Sequence, residues 1–257
     1  MKILPLLLFI VGCTSKGLNK PETSLEWKQE CFKGIHKNQE YCVSRTGYGN
    51  PITVLDFHGL GDGVKSPKVS TYDTSQRVKL IKDIGASHVV SISYGLAWML
   101  RPGNGPESVG EVESMLKSLV EEYQLPPGIV GMGMSMGGHN LATFCMNTGL
   151  LSKCILLNPM LLHSGQYSES FSSASVKDAS IMPGKHFTKA EWERFNPFTQ
   201  ALGKDGSKFM VSACKQDDFN LHPSTKAWST LINAKFMEHD CDHFHPNTDG
   251  VAEFIGK

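Results

Sequence analysis

The stretch Ile129-Val-Gly-Met-Gly-Met-Ser135-Met-Gly-Gly-His-Asn-Leu-Ala142 constrains this chain more than any other. A short apolar run, a Gly-x-Ser-x-Gly turn and the start of a helix follow one another with no spacer. That layout predicts a strand reversing into a helix through a turn so sharp that the positions either side of the serine tolerate only glycine. It leaves the Ser135 hydroxyl exposed, with helix N-terminal N–H groups nearby to hold an oxyanion. A chain with 25 glycines in 257 residues can produce the five-residue pattern by accident, so the flanking strand and helix carry the reading.

The rest of the chain alternates buried strands with helices. Strands are expected at Ile52–Phe57, His88–Tyr94, Ile129–Met134, Lys153–Asn158, Lys208–Ala213 and Lys235–His239, with an antiparallel pair earlier, within Trp27–Ser44. Helical spacing covers Thr74–Ile84, Ser108–Tyr123, His222–Asn233 and Thr248–Ile255. Strands that read as continuous apolar runs between helices predict an α/β fold, a mostly parallel central sheet covered on both faces. Length favours one large domain, 26–257. Within it, 160–207 is long, irregular and rich in Ser, Gly and aromatics, which suits a cap or lid inserted over a site.

Charge and cysteines narrow the setting. Lys and Arg number 25 against 25 Asp and Glu, without long runs of either sign, so nucleic acid has no electrostatic footprint here. Ile3–Val11 is almost wholly apolar after a single lysine, too short to span a bilayer, which needs about 20 residues. Ile10-Val-Gly-Cys13 resembles a bacterial lipobox. The expectation is a signal peptide over 1–12, a lipidated Cys13, and a polar tether over 13–25. Thr14 in place of aspartate then favours the outer membrane. Six cysteines remain, an even number that fits pairing in an exported protein. Cys31 with Cys42 suits a hairpin disulfide, Cys214 and Cys241 end strands expected to be neighbours, and Cys145 and Cys154 read as buried thiols.

In open α/β sheets ligands gather beyond the carboxyl ends of the strands. There the chain supplies His58-Gly-Leu-Gly-Asp-Gly63, then Ser135, then Cys214-Lys-Gln-Asp-Asp-Phe219, then Asp240-Cys-Asp-His-Phe-His245. A nucleophile, a carboxylate and an imidazole arrive in the order Ser, Asp, His, as an α/β-hydrolase requires. Ser135 is a poor nucleophile until an imidazole takes its proton, and the imidazole needs a carboxylate on its far nitrogen. His243 is the preferred base, with His245 and His239 as alternatives; Asp217 is the preferred acid, with Asp218 as alternative. The Met136 N–H and the Leu60 N–H are the expected oxyanion donors. His139 reads as a packing residue, His58 as a residue shaping its loop, and Asp62 as a turn residue. The dense ligand set in 239–245 also admits a zinc or iron site, but no second cluster completes it, so neither metal nor cofactor is expected.

Gly133-Met-Ser-Met-Gly-Gly-His139 resembles the elbow of the esterase branch of the α/β-hydrolase superfamily that includes esterase D, feruloyl esterases and mycolyltransferases. Val120-Glu-Glu-Tyr123 before the elbow strand and the Gln216-Asp-Asp-Phe219 turn are similar too. The resemblance spans Ile52 to Ile255 and departs at His58-Gly-Leu-Gly-Asp, which lacks the His-Gly-Gly-Gly loop of many lipases. It implies a serine carboxylester hydrolase working on a small-molecule or lipid ester through an acyl-enzyme. An acyltransferase on the same triad and a non-catalytic surface-binding lipoprotein are the alternatives. Tyr94, Trp98, Phe187, Trp192, Phe195 and Phe198 are candidates to line the acyl or aryl pocket.

Overall fold

The structure is a computed structural model that describes residues 32–36, 39–59, 74–93, 106–161 and 196–256. Segments 1–12 and 13–25, residues 162–195 of the expected cap, and Cys13, Cys31, Leu60, Asp62, Tyr94, Trp98, Phe187, Trp192 and Phe195 lie outside them.

Alternating apolar residues in the central strands are buried on both faces, and that decides the architecture. In β3 (Asn50–Phe57), Leu55 and Phe57 enter one apolar cluster while Val54 enters the other. The same split runs through β6 (Lys153–Leu157), with Leu156 on one side and Ile155 and Leu157 on the other, and through β7 (Phe209–Gln216). A strand buried on both sides must be sandwiched between helices. One layer holds α2 (Pro106–Glu122), α3 (Met136–Asn147), α4 (Pro197–Ala201) and α5 (His222–Ile232); the other holds α1 (Thr74–Ile84) and α6 (Val251–Phe254).

The remaining strands are β1 (Phe32–His36), β2 (Gln39–Arg45), β4 (Ala86–Ser93), β5 (Gly128–Met134) and β8 (Lys235–Asp242). Together they form one eight-stranded sheet in the order β1-β2-β4-β3-β5-β6-β7-β8. β1 with β2 and β2 with β4 are antiparallel, and the other pairings are parallel. Register aligns Phe57 with Gly133, Gly133 with Leu156, Leu156 with Val211, and Val211 with Phe236. The carboxyl ends of β3, β5, β6, β7 and β8 therefore share one edge.

Several boundaries differ from the sequence expectations. β8 runs on to Asp242, so His239 lies inside the strand rather than ending it. Its pairing with β7 is irregular, Cys214 opposing His239 but Gln216 opposing Asp242, which puts one extra residue on β8 just before His243. The closing helix is only Val251–Phe254, because Asn247 accepts the Asp249 N–H in a turn and left-handed Gly250 (φ 75°) starts the helix late. The irregular segment 160–207 contains α4, whose Asn196 side chain caps the Phe198 N–H at 2.8 Å ahead of Pro197. Phe198 is half-buried against the core. Among the described residues no helix is long and apolar enough to cross a membrane.

The cysteines hold a correction. Cys145 and Cys154 are a disulfide, not free thiols. Cys145 faces the sheet from α3, which packs on β6, and the two Cα atoms stand 6.6 Å apart. Sequence spacing could not reveal a helix-to-strand crossing. Cys214 and Cys241 also pair, joining β7 to β8 with Cα atoms 4.8 Å apart. Cys42 is disulfide-bonded as well, while its expected partner Cys31 is outside the described residues.

Among the described residues Trp228 is the largest fully buried side chain, packed edge-on against Phe209 at 5.4 Å and donating its indole N–H to the Pro197 carbonyl at 3.0 Å. Trp228→Ala is expected to cost about 3–5 kcal/mol, read as a lower urea midpoint with the same m-value.

Candidate active site

Ser135 stands between β5 and α3 with φ 54° and ψ −120°, a conformation that costs about 1–3 kcal/mol unless its surroundings enforce it. Both of its backbone groups are fixed. The Ser135 N–H donates to the Leu157 carbonyl at 3.0 Å, and the Ser135 carbonyl accepts the Met160 N–H at 2.9 Å and the His139 N–H at 3.2 Å. The glycines explain why the turn can close. A Cβ on Gly133 would sit 2.5 Å from the Gly137 carbonyl oxygen, and one on Gly137 would sit 2.2 Å from the Phe57 oxygen and 2.5 Å from that of His58. On Gly138 it would meet Pro159 at 2.6 Å. The elbow is thus pressed against the end of β3, where the loop toward residue 60 begins.

At the same edge Ser135 Oγ is 3.0 Å from His243 Nε2, and His243 Nδ1 is 2.8 Å from Asp217 Oδ2. An ionised carboxylate only accepts, so Nδ1 carries the ring proton and Nε2 presents its lone pair to the serine hydroxyl. The His243 and Asp217 side chains are 3% and 2% exposed, so little solvent screens their pairing. Asp217 Oδ1 accepts the Phe219 N–H at 2.8 Å, leaving Oδ2 for the imidazole. Phe219 and Phe244 pack edge-on against the His243 ring at 4.5 and 5.2 Å, which fixes its plane.

The alternatives are placed elsewhere. Asp218 is exposed, His245 is a largely exposed side chain whose Nδ1–H donates to Asp242, and His239 Nε2 has no hydrogen-bond partner. Among the described residues no three His, Cys, Asp or Glu groups converge as metal ligands would. Within 239–245, Cys241 is in a disulfide and His243 and His245 each face a carboxylate, so the set diverges.

Of the two expected oxyanion donors, the Met136 N–H opens α3, where the first turn has no helical acceptor for it. His58, buried at the end of β3, donates Nδ1–H to the Gly59 carbonyl at 2.8 Å and so shapes the loop leading to residue 60. Beneath that loop, buried Arg77 on α1 pairs with Asp56 and donates to the Phe57 carbonyl, tying β3 to its covering helix.

Sequence reasoning passed over two residues. Asp242 accepts the backbone N–H groups of Phe244 and His245, both at 2.9 Å, wrapping the chain around His243. The hydrogen bond from the His245 ring, then those N–H groups, hold its carboxyl below the usual range against the effect of burial. Asn158, buried at the end of β6, bonds to Cys214 on the neighbouring β7 and, past it, to the His243 carbonyl just beyond β8. The signal for Asn158 was faint: an Asn-Pro ending an apolar strand is also an ordinary turn.

No protein-family model matches the sequence, and no curated protein matches it either. Solved structures do. An esterase from Pyrococcus furiosus is 12% identical with a TM-score of 0.62, over 86% of this chain and 85% of that one. A hyperthermophilic esterase from the archaeon Pyrobaculum calidifontis is 18% identical with a TM-score of 0.58, over 89% and 79%. An arylesterase is 16% identical with a TM-score of 0.58, over 88% and 81%. The chain has the α/β-hydrolase fold. Within that fold the edge collecting Ser135, Asp217 and His243 is where ligands gather in open α/β sheets.

His139 sits one turn into α3, fully buried, with Nδ1 3.2 Å from the Met160 carbonyl. Burial pushes its pKa down to about 4, the bond to Met160 opposing only part of that. The imidazole is therefore neutral in the folded state at pH 7. The unfolded chain binds its proton near pH 6.5, so between pH 6.5 and 4 the unfolded state carries more protons and stability falls with falling pH. The loss should reach about 3 kcal/mol, and His139→Gln should flatten that part of a urea-denaturation pH series.

Proposed function

We propose that the protein is a serine carboxylester hydrolase of the esterase D and feruloyl-esterase-like branch, acting through an acyl-enzyme. The observation that carries this is the unbroken relay from Asp217 Oδ2 to His243 Nδ1, and from His243 Nε2 to Ser135 Oγ, at 2.8 and 3.0 Å. Ser135 Oγ attacks the ester carbonyl while His243 Nε2 takes the hydroxyl proton. The carbonyl oxygen becomes an oxyanion beside the Met136 N–H, which opens α3 without a helical acceptor, and the sequence assigns the second donor to the N–H of Leu60. Asp217 holds the ring tautomer and stabilises the imidazolium. His243 then gives its proton to the departing alkoxide as the carbonyl reforms, leaving an acyl group on Ser135. Water, losing a proton to His243, attacks that acyl carbon, and the acid leaves as Ser135 recovers its hydrogen.

The test is hydrolysis of p-nitrophenyl esters of graded chain length together with labelling by a fluorophosphonate probe. Wild type should turn over and be labelled, and Ser135→Ala should lose both while keeping its far-UV spectrum. A wild type inert to ester and probe alike means a surface-binding protein that has kept the fold. Acyl transfer to an added alcohol in preference to water means an acyltransferase.

The same reading puts the chain in the cell envelope, held by acyl groups on Cys13 after removal of residues 1–12. Support comes from the Ile10-Val-Gly-Cys13 sequence and from two disulfides, Cys145–Cys154 and Cys214–Cys241, which suit an oxidising compartment. Cys13→Ser should abolish incorporation of labelled palmitate and release the protein from the membrane fraction; retention of the label would refute the anchor.

A further inference from the structure

We infer that Asn158 is a positioning residue for the base, holding the loop that aims His243 at Ser135. The inference rests on the triad reading above and assigns a role to a side chain outside it. Asn158 is 1% exposed and adopts φ 41°, a left-handed conformation that asparagine tolerates better than most residues. Its carboxamide is used in full. Oδ1 accepts the Cys214 N–H at 2.8 Å, three residues before Asp217. Nδ2 donates to the His243 carbonyl at 2.9 Å and the Asp242 carbonyl at 3.0 Å, with Cys214 Sγ 3.2 Å away. Its own N–H donates to the Ser212 carbonyl at 2.9 Å.

The neighbours of Asn158 complete the argument. Leu157 and Met160 supply the carbonyl and the N–H that clamp Ser135 on both sides. The four-residue segment 157–160 thus grips the nucleophile by its main chain and the base by one side chain. A displacement of the main chain at residues 242 and 243 relative to Ser135 strains the bonds of Asn158.

The chemistry of the side chain is specific. Only a short carboxamide offers one acceptor toward the strand bearing the acid and two donors toward the strand bearing the base. Aspartate has the same shape, but it would turn an oxygen toward two carbonyl oxygens. Alanine would leave buried main-chain groups of residues 214, 242 and 243 without those bonds. Either change loosens the His243 loop without touching Ser135, Asp217 or the substrate.

The experiment uses the full chain with Asn158→Ala and Asn158→Asp, and two readouts. With a p-nitrophenyl ester, kcat should fall on the order of 10²-fold in both variants, because misplacement of about 1 Å costs that much. KM should stay within about threefold, since no substrate contact is removed. The second readout needs no turnover: the far-downfield proton resonance of an imidazole N–H held by a buried carboxylate. It should be present in wild type, absent in Asp217→Asn, and lost or broadened in both Asn158 variants. Leu80→Ala, a core change on α1 far along the chain from the triad, controls for lost stability and should keep both kcat and the resonance. If Asn158→Ala does not fold, the isosteric Asn158→Asp carries the test. Unchanged kcat and resonance in folded Asn158→Asp would overturn the inference, and so would an equal loss in Leu80→Ala. An inert wild type, or turnover surviving Ser135→Ala, would overturn the triad reading instead, and the resonance would still report on Asn158.

Discussion

A serine at φ 54° is held there by what surrounds it, and the arrangement at the edge of this sheet depends on that grip. The two hydrogen bonds from the 157–160 segment, one to each backbone group of Ser135, make the strained conformation the satisfied one. Glycine at 133 and 137 lets the grip close, because a side chain at either place would occupy space already taken by main-chain carbonyls. Strain and close packing are therefore two descriptions of one constraint. Backbone must approach backbone across β5, α3 and the end of β3, and only then does the hydroxyl stand clear with an unused N–H beside it.

Parallel register turns this local feature into a site. Aligned ends of β3, β5, β6, β7 and β8 put residues distant in the chain on one edge, and the pairings leave each strand little freedom to slide. Sliding by one residue would exchange Leu55 and Phe57 for Val54 and Asp56 across the two apolar layers. Core packing and the placement of the site are set by the same register. Buried Arg77 and Asp56 fit this view: a charge pair near the end of β3 tolerates its burial because it is bonded, and it fixes the strand end that abuts the elbow.

Much of this was legible in the chain because the features were local. The elbow announced itself through Gly133, Ser135 and Gly137, the apolar runs located six of the strands, and helical spacing located α1, α2 and α5, all to within a few residues. Asp217 and His243 could be named as candidates because each follows a strand end, while the contact between them depends on a turn in which Asp217 accepts the Phe219 N–H, a feature spacing does not show. What escaped was tertiary. The Cys145–Cys154 bond depends on how α3 crosses β6, the bulge ahead of His243 on the β7–β8 pairing, and the role of Asn158 on three strand ends meeting. The one-turn closing helix escaped for a different reason, since apolar spacing overestimates a helix whose start is delayed by a turn.

His243 follows directly on an edge strand of the sheet. β8 has a neighbour on one side only, and its residues are half-buried or exposed where those of β5 and β6 are buried. An edge strand with an extra residue ahead of His243 would, on pairing alone, have room to shift on its open side. Three cross-links oppose that freedom. The Cys214–Cys241 disulfide closes a separation of 27 residues and by loop entropy contributes about 3–4 kcal/mol against unfolding. Asn158 reaches from β6, past β7, to the carbonyls of residues 242 and 243. Asp242 then folds the following turn back on itself through the N–H groups of residues 244 and 245. Covalent bond, carboxamide and carboxylate all act within a few residues of the imidazole, so the stiffness of this edge is concentrated where His243 meets Ser135 over a single hydrogen bond.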